Sequence, residues 1–115
     1  MVKREVVGAH YGLRDWIAQR VTAVIMAVYT ALILSVVAGL PQMDYWHWKV
    51  LWQTPLVRYA SVLFMASLLL HAWIGMRNIV MDYVKDAALR LTLYVLVIGA
   101  LLGYAVWSMQ ILWGL

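Results

Sequence analysis

"LLLHAWIGMRNIVMDYVKD", residues 68–86, is the stretch on which the fold turns. A run of Leu, Ile, Val, Met and Trp holds one histidine, His71, and closes on Asp82 and Tyr83. Upstream the apolar character continues: 18 residues without a charge separate Arg58 from Arg77. Two further charge-free blocks flank it, 23 residues between Arg20 and Asp44 and 25 from Leu91 to Leu115. Each reaches the length of a membrane-crossing helix, roughly 17–25 residues at about 1.5 Å per residue. The spacing predicts three helices over approximately 20–40, 57–81 and 89–113. No segment alternates as a barrel strand does.

Composition agrees. In 115 residues, 66% are hydrophobic and 12% charged. A soluble domain of this size leaves much of its surface in water and could not enclose so much apolar area. The class is therefore all-α integral membrane, one anchor domain over residues 1–115. The absence of cysteine excludes disulfides, cysteine-held zinc or iron–sulfur clusters, and covalent haem attachment through C-x-x-C-H. Nine Lys and Arg in small groups give a net charge of +4. That pattern suits membrane topology and not nucleic acid. The opening "MVKREVVGAHYGLRDW" is charged and lacks an apolar region of its own, so the first span is expected to be retained.

The first connection, "PQMDYWHWKVLWQTP", is bounded by prolines. Its Trp46, Trp48 and Trp52 suit a water–lipid boundary, where the ring stays apolar and the N–H stays wet. A short surface helix is expected there. Lys3, Arg4, Arg14 and Arg20 precede the first span, and Arg77, Lys85 and Arg90 flank the second connection. Only Lys49 and Arg58 lie on the other side. The positive-inside rule predicts a cytoplasmic N-terminus and second connection, and a C-terminus outside.

On a helical wheel Ser67, His71, Gly75, Asn78 and Asp82 share an arc of about 80°, extended by Ala60 and Phe64. Such a stripe belongs against protein or a bound group. His71 is either a structural histidine, hydrogen-bonded across a helix interface, or a haem axial ligand. Burial keeps an imidazole neutral, the metal-binding form, and small Ser67 and Gly75 leave room beside it. His10 and His47 lie outside the spans, so a second haem ligand would come from another protein chain. Asp82 and Tyr83 are either a solvated helix end, with Asp82 near Lys85, or part of a quinone site. There a tyrosine hydroxyl donates to a carbonyl and a carboxylate positions it or passes protons. Arg20 either snorkels to headgroups or pairs with a buried anion such as a haem propionate. Gly99 and Gly103 form a G-x-x-x-G spacing that favours close helix packing.

Taken together, "RDWIAQRVTA", "LLLHAWIGMRNIVMDYVK" and "LRLTLYVLVIGALL" resemble the small hydrophobic membrane-anchor subunits of bacterial succinate dehydrogenases (succinate:quinone oxidoreductases, respiratory complex II). The likeness runs from about Gly12 to the C-terminus and is most specific in H-A-W-I-G-M and D-Y-V-K. It implies His71 as an axial ligand of haem b and its iron, and Tyr83 as a donor to ubiquinone with Asp82 beside it. It also implies Arg20, in an R-x-T-A pattern, near the haem propionates. Arg14 departs from relatives that carry histidine there. The resemblance implies three partners in a heteromeric bundle in the bacterial inner membrane, a setting in which the outside, and with it the C-terminus, is periplasmic. The cytochrome b subunit supplies the second haem ligand and the iron–sulfur subunit the electron relay. The flavoprotein subunit carries the FAD that oxidises succinate in the tricarboxylic acid cycle. This chain lacks a dinucleotide fingerprint and would act only within such an assembly. The alternatives are a fumarate reductase anchor, or a structural anchor without haem contact.

The orientation is testable by fusion. An alkaline phosphatase domain after Leu115 is expected to be active, because it folds only outside the cytoplasm. The same domain inserted near Lys85 is expected to be silent. The reverse pattern would invert the topology.

Overall fold

A computed structural model describes residues 11–114, and the side chains of 12–114. His10, Lys3, Arg4 and Leu115 lie outside the described residues. Four helices follow in order: α1, Tyr11–Ala38; α2, Tyr45–Gln53; α3, Pro55–Tyr83; α4, Ala87–Trp113. Three of them, α1, α3 and α4, are long and apolar enough to cross a membrane. No strand occurs among the described residues. The expected spans are all present. α1 starts nine residues before the expected boundary at 20, because the helix continues through charged Arg14, Asp15 and Arg20. Charge-free length measures the lipid-buried part of a helix, whereas its wet end can carry long charged side chains.

Helix ends follow from local chemistry. α1 stops at Ala38, before Gly39 and Pro41. The Asp44 carboxylate caps α2, accepting from the His47 N–H at 2.8 Å and meeting His47 Nδ1 at 2.6 Å. The backbone donor first, and the ring second, hold the Asp44 carboxyl below the usual carboxylate range. A lowered value means that the cap contributes above the unfolded carboxylate range and is lost as pH falls through the folded value. α2 is the short helix expected in the tryptophan-rich connection. Pro55 occupies the first turn of α3, where its missing N–H costs no intrahelical bond. Asp86 caps α4, accepting from the Ala88 N–H at 3.2 Å.

α3 is central. α1 packs on one side of it and α4 on another, α2 touches α3 and α4, and α1 does not touch α4. The inside of this assembly is unusually polar. Thr22, Ser61 and Ser67 are buried alongside Leu51, Ile74, Val80 and Leu112, while Val24, Leu32, Leu63, Leu91 and Leu102 lie exposed. Lipid tails are as apolar as leucine, so burying leucine between helices gains little. Small and hydroxyl-bearing side chains gain more, because close packing and hydrogen bonds are available only there.

The α1–α3 seam has three polar rungs. Asp15 pairs with Arg77, Thr22 meets His71 at 3.0 Å, and the Tyr29 hydroxyl meets Ser61 Oγ at 2.6 Å. On α1 the rungs recur every seven residues, two turns apart, the period that keeps one seam facing a partner helix. On α3 they run in reverse order, as antiparallel helices require. Tyr29 also stacks on Phe64, with ring centroids 4.5 Å apart. The G-x-x-x-G of α4 does not serve packing within this chain. A Cβ at Gly99 or Gly103 would meet nothing within 4 Å. α4 instead turns Tyr94, Val97, Leu101, Ala105, Ser108 and Leu112 inward, and Tyr94 meets Trp73 edge-on at 5.8 Å.

The rungs differ in weight. Tyr29→Phe removes one hydrogen bond and is expected to cost about 0.5–1.5 kcal/mol. Asp15→Leu strands a half-buried guanidinium. Its cost is expected to fall between the ~0–1 kcal/mol of exposed pairs and the ~3–5 kcal/mol of buried ones. Asp15→Leu with Arg77→Leu should recover most of the loss. Unfolding in mixed micelles, followed by helicity, orders the variants.

Candidate functional site

His71 sits nearly two turns from Arg77 along α3, half-buried, with Thr22 opposite. Thr22 is 4% exposed and its hydroxyl has three neighbours. Its Oγ1 donates to the Ala18 carbonyl at 2.6 Å, with the Gln19 carbonyl at 3.2 Å, and meets His71 Nδ1 at 3.0 Å. His71 Nε2 has no hydrogen-bond partner among the described residues. It is not among the enclosed polar atoms that lack one. One ring nitrogen is therefore tied into the seam and the other is left open.

The small residues around His71 are used differently from the sequence expectation. Gly75 faces α1, where an added Cβ would lie 3.7 Å from Gln19 Nε2. Ser67 is 5% exposed, covered by its neighbours. The room they leave is filled by packing within this chain, so they do not form an open notch beside the ring. The polar stripe nevertheless faces protein over its buried half, as expected. Towards its end, Asn78 and Asp82 are exposed.

Tyr83 is the last residue of α3 and is 81% exposed. Twelve residues of helix put it about 18 Å along the axis from His71. His71 and Tyr83 are thus two places on one helix. Asp82 forms no ion pair with Lys85. The ion pairs among the described residues are Asp15–Arg77 and Asp44–His47. Arg20 is exposed, its guanidinium 4.8 Å over the Trp16 ring. It lies within about 3 Å of Thr22 in rise, at the depth of His71, but two residues carry it roughly 200° round α1. The chain alone does not bring Arg20 to the histidine.

Three residues outside the expected set shape this end of the molecule. Asp15 and Arg77 form the lowest rung. Arg90 reaches from α4 back to the end of α3. Its Nε and Nη2 donate to the Val84 carbonyl at 3.1 and 2.7 Å, and Nη2 to the Met81 carbonyl at 3.3 Å. A cation here satisfies free carbonyls at the negative end of the helix dipole. It ties the connection to the last turn of α3, which carries Asp82 and Tyr83. At the other end, a recess of about 400 Å³ is lined by Tyr29, Trp48, Trp52, Phe64 and Leu112 among others. Neither His71 nor Tyr83 lines it.

The family model described as "Succinate dehydrogenase/Fumarate reductase transmembrane subunit" matches residues 2–107. A Coxiella burnetii protein described as "Succinate dehydrogenase hydrophobic membrane anchor subunit" is 36% identical over 102 residues, covering 89% of each chain.

Arg90→Ala is expected to loosen the end of α3. A charged donor contributes about 1.5–3 kcal/mol where it is buried; at this partly exposed end the lower figure applies, about tenfold in local opening. Tryptic cleavage after Lys85 should accelerate by that order while the Thr22–His71 region keeps its protection against hydrogen exchange.

Proposed function

Because the chain belongs to the succinate dehydrogenase/fumarate reductase transmembrane-subunit family, we propose that it anchors the catalytic subunits of a succinate dehydrogenase, contributes a haem b ligand through His71, and builds part of a ubiquinone site with Tyr83 and Asp82. The observation that carries this reading is His71 itself, with Nδ1 held by Thr22 and Nε2 open. A neutral imidazole with one anchored and one free nitrogen is the donor that an axial position requires. No cluster of three or more His, Asp or Glu suited to a metal occurs among the described residues. A single ligand from this chain accords with a haem whose second ligand is a partner's, the cytochrome b subunit in the proposed assembly. The description of the Coxiella relative favours succinate oxidation over the fumarate-reducing alternative.

When bound, haem b supplies one-electron storage inside the membrane. This chain's residues hold it and shape its surroundings. His71 presents Nε2 at a fixed height. Arg20, exposed at a similar depth but on the far side of α1 from Thr22, and free of any carboxylate among the described residues, would hold a propionate of the bound group. About 18 Å further along α3, the Tyr83 hydroxyl donates to a quinone carbonyl, and the Asp82 carboxylate holds or relays the proton at that oxygen. Tyr83 is exposed in the isolated chain, so the iron–sulfur and cytochrome b partners would close the pocket. FAD and iron–sulfur clusters belong to the flavoprotein and iron–sulfur partners, since this chain has no cysteine to hold a cluster. The proposed setting is the inner membrane with the Tyr83 end cytoplasmic, beside the electron donor.

Two substitutions separate the sites. His71→Ala is expected to remove or alter the low-spin haem spectrum while succinate–dye turnover survives. An unchanged spectrum removes His71 from the ligands. Tyr83→Phe keeps the ring but deletes the hydroxyl, a loss of about 0.5–1.5 kcal/mol in binding and more as charge develops on the quinone oxygen. Succinate–quinone turnover should fall several-fold or more with haem content near normal. Unaltered quinone reduction and inhibitor binding would make Tyr83 a boundary residue only.

A further inference from the structure

We infer that Thr22 is a positioning residue for the iron ligand: by accepting the Nδ1 proton of His71, it fixes the imidazole tautomer and strengthens Nε2 as a donor. This rests on the haem reading above, but its own observation is the geometry of one hydroxyl. Thr22 Oγ1 lies 2.6 Å from the Ala18 carbonyl oxygen. Two oxygens that close need a proton between them, and only the hydroxyl has one. The proton is therefore directed at Ala18. Towards His71, 3.0 Å away, Oγ1 then offers a lone pair. Nδ1 must carry the hydrogen of that bond, and in a neutral ring Nε2 must be bare.

Nothing else among the described residues competes for this role. His71 hydrogen-bonds through its ring to Thr22 alone. Thr22 is nearly enclosed, so water does not readily replace it. The Gln19 amide on α1 lies against Gly75 and forms no bond to the ring, and its Oε1 is enclosed without a partner. An Nδ1–H bonded to an acceptor makes the imidazole more basic at Nε2. The more basic ligand favours the ferric over the ferrous state and lowers the reduction potential. A threonine that donates to its own helix is a stronger acceptor than a free hydroxyl, because hydrogen bonds in a chain polarise one another. The i−4 bond to Ala18, ordinarily a mild burden on a helix, thus orients the lone pair.

The test uses the whole complex, purified with Thr22→Val and Thr22→Ser in this anchor chain. Valine keeps the volume and deletes the acceptor; serine keeps the hydroxyl. Potentiometric titration of the haem absorption and ferric electron paramagnetic resonance are the readouts. For Thr22→Val the ferric-to-ferrous preference is expected to fall several-fold, raising the midpoint potential (tenfold is about 59 mV for one electron), with shifted ferric g-values. Thr22→Ser should match the unsubstituted complex. The inference is overturned if Thr22→Val leaves potential and g-values unchanged, or if Thr22→Ser shifts them as far. It is also overturned if Thr22→Val loses the chain from the membrane rather than altering the haem, since Thr22 would then act in helix pairing. Absence of haem b from the unsubstituted complex, or its insensitivity to His71→Ala, would instead strike the haem reading on which the inference rests.

Discussion

Lipid withdraws the hydrophobic gain from helix pairing, and the α1–α3 seam is built around that constraint. Its rungs are an ion pair, a hydroxyl–imidazole contact and a phenol–serine contact, all between antiparallel helices. Each needs its partner, because an unsatisfied polar group away from water costs more than a bond gains. The rungs therefore specify register as well as affinity. Sliding α1 by one residue would turn Asp15, Thr22 and Tyr29 away together, since they share one heptad phase.

Within this seam the structural and functional readings of His71 are compatible. The ring is hydrogen-bonded across a helix interface, as a packing histidine would be. It uses one nitrogen for that purpose, and the other is left over. A serine, threonine or asparagine could make a seam rung without offering an imidazole nitrogen to anything outside it. The choice of histidine leaves an open ring nitrogen at a depth set by the neighbouring rungs.

The chain is also visibly incomplete as a folded object. Long apolar residues line the outside of all three spans, the G-x-x-x-G face of α4 is open, and Tyr83 stands clear of its own chain. A membrane anchor of the succinate dehydrogenase family is one part of an assembly. Its unused faces are open to lipid and to the rest of that assembly. Arg90, by bonding the carbonyls of Val84 in the connection and Met81 in the last turn of α3, gives the presented end a defined shape within the chain itself.

The sequence by itself determined the class and the spans, because charge-free length answers directly to bilayer thickness. It also marked His71, Asp82, Tyr83 and Arg20, because an ionisable or hydrogen-bonding group in or beside an apolar run is conspicuous. It did not reveal which side chains meet. Thr22, Asp15 and Tyr29 look unremarkable along the chain, and their heptad phase acquires meaning only when Arg77, His71 and Ser61 stand opposite. Gly75 and Ser67 read as space for a bound group, yet Gly75 faces Gln19 of α1 and Ser67 is buried within the chain. Gly99 and Gly103 read as a packing motif, yet α3 meets α4 on another face. Local pattern reports which groups are costly to expose; which of them meet depends on the azimuth and register of two helices, and these exist only in the folded pair.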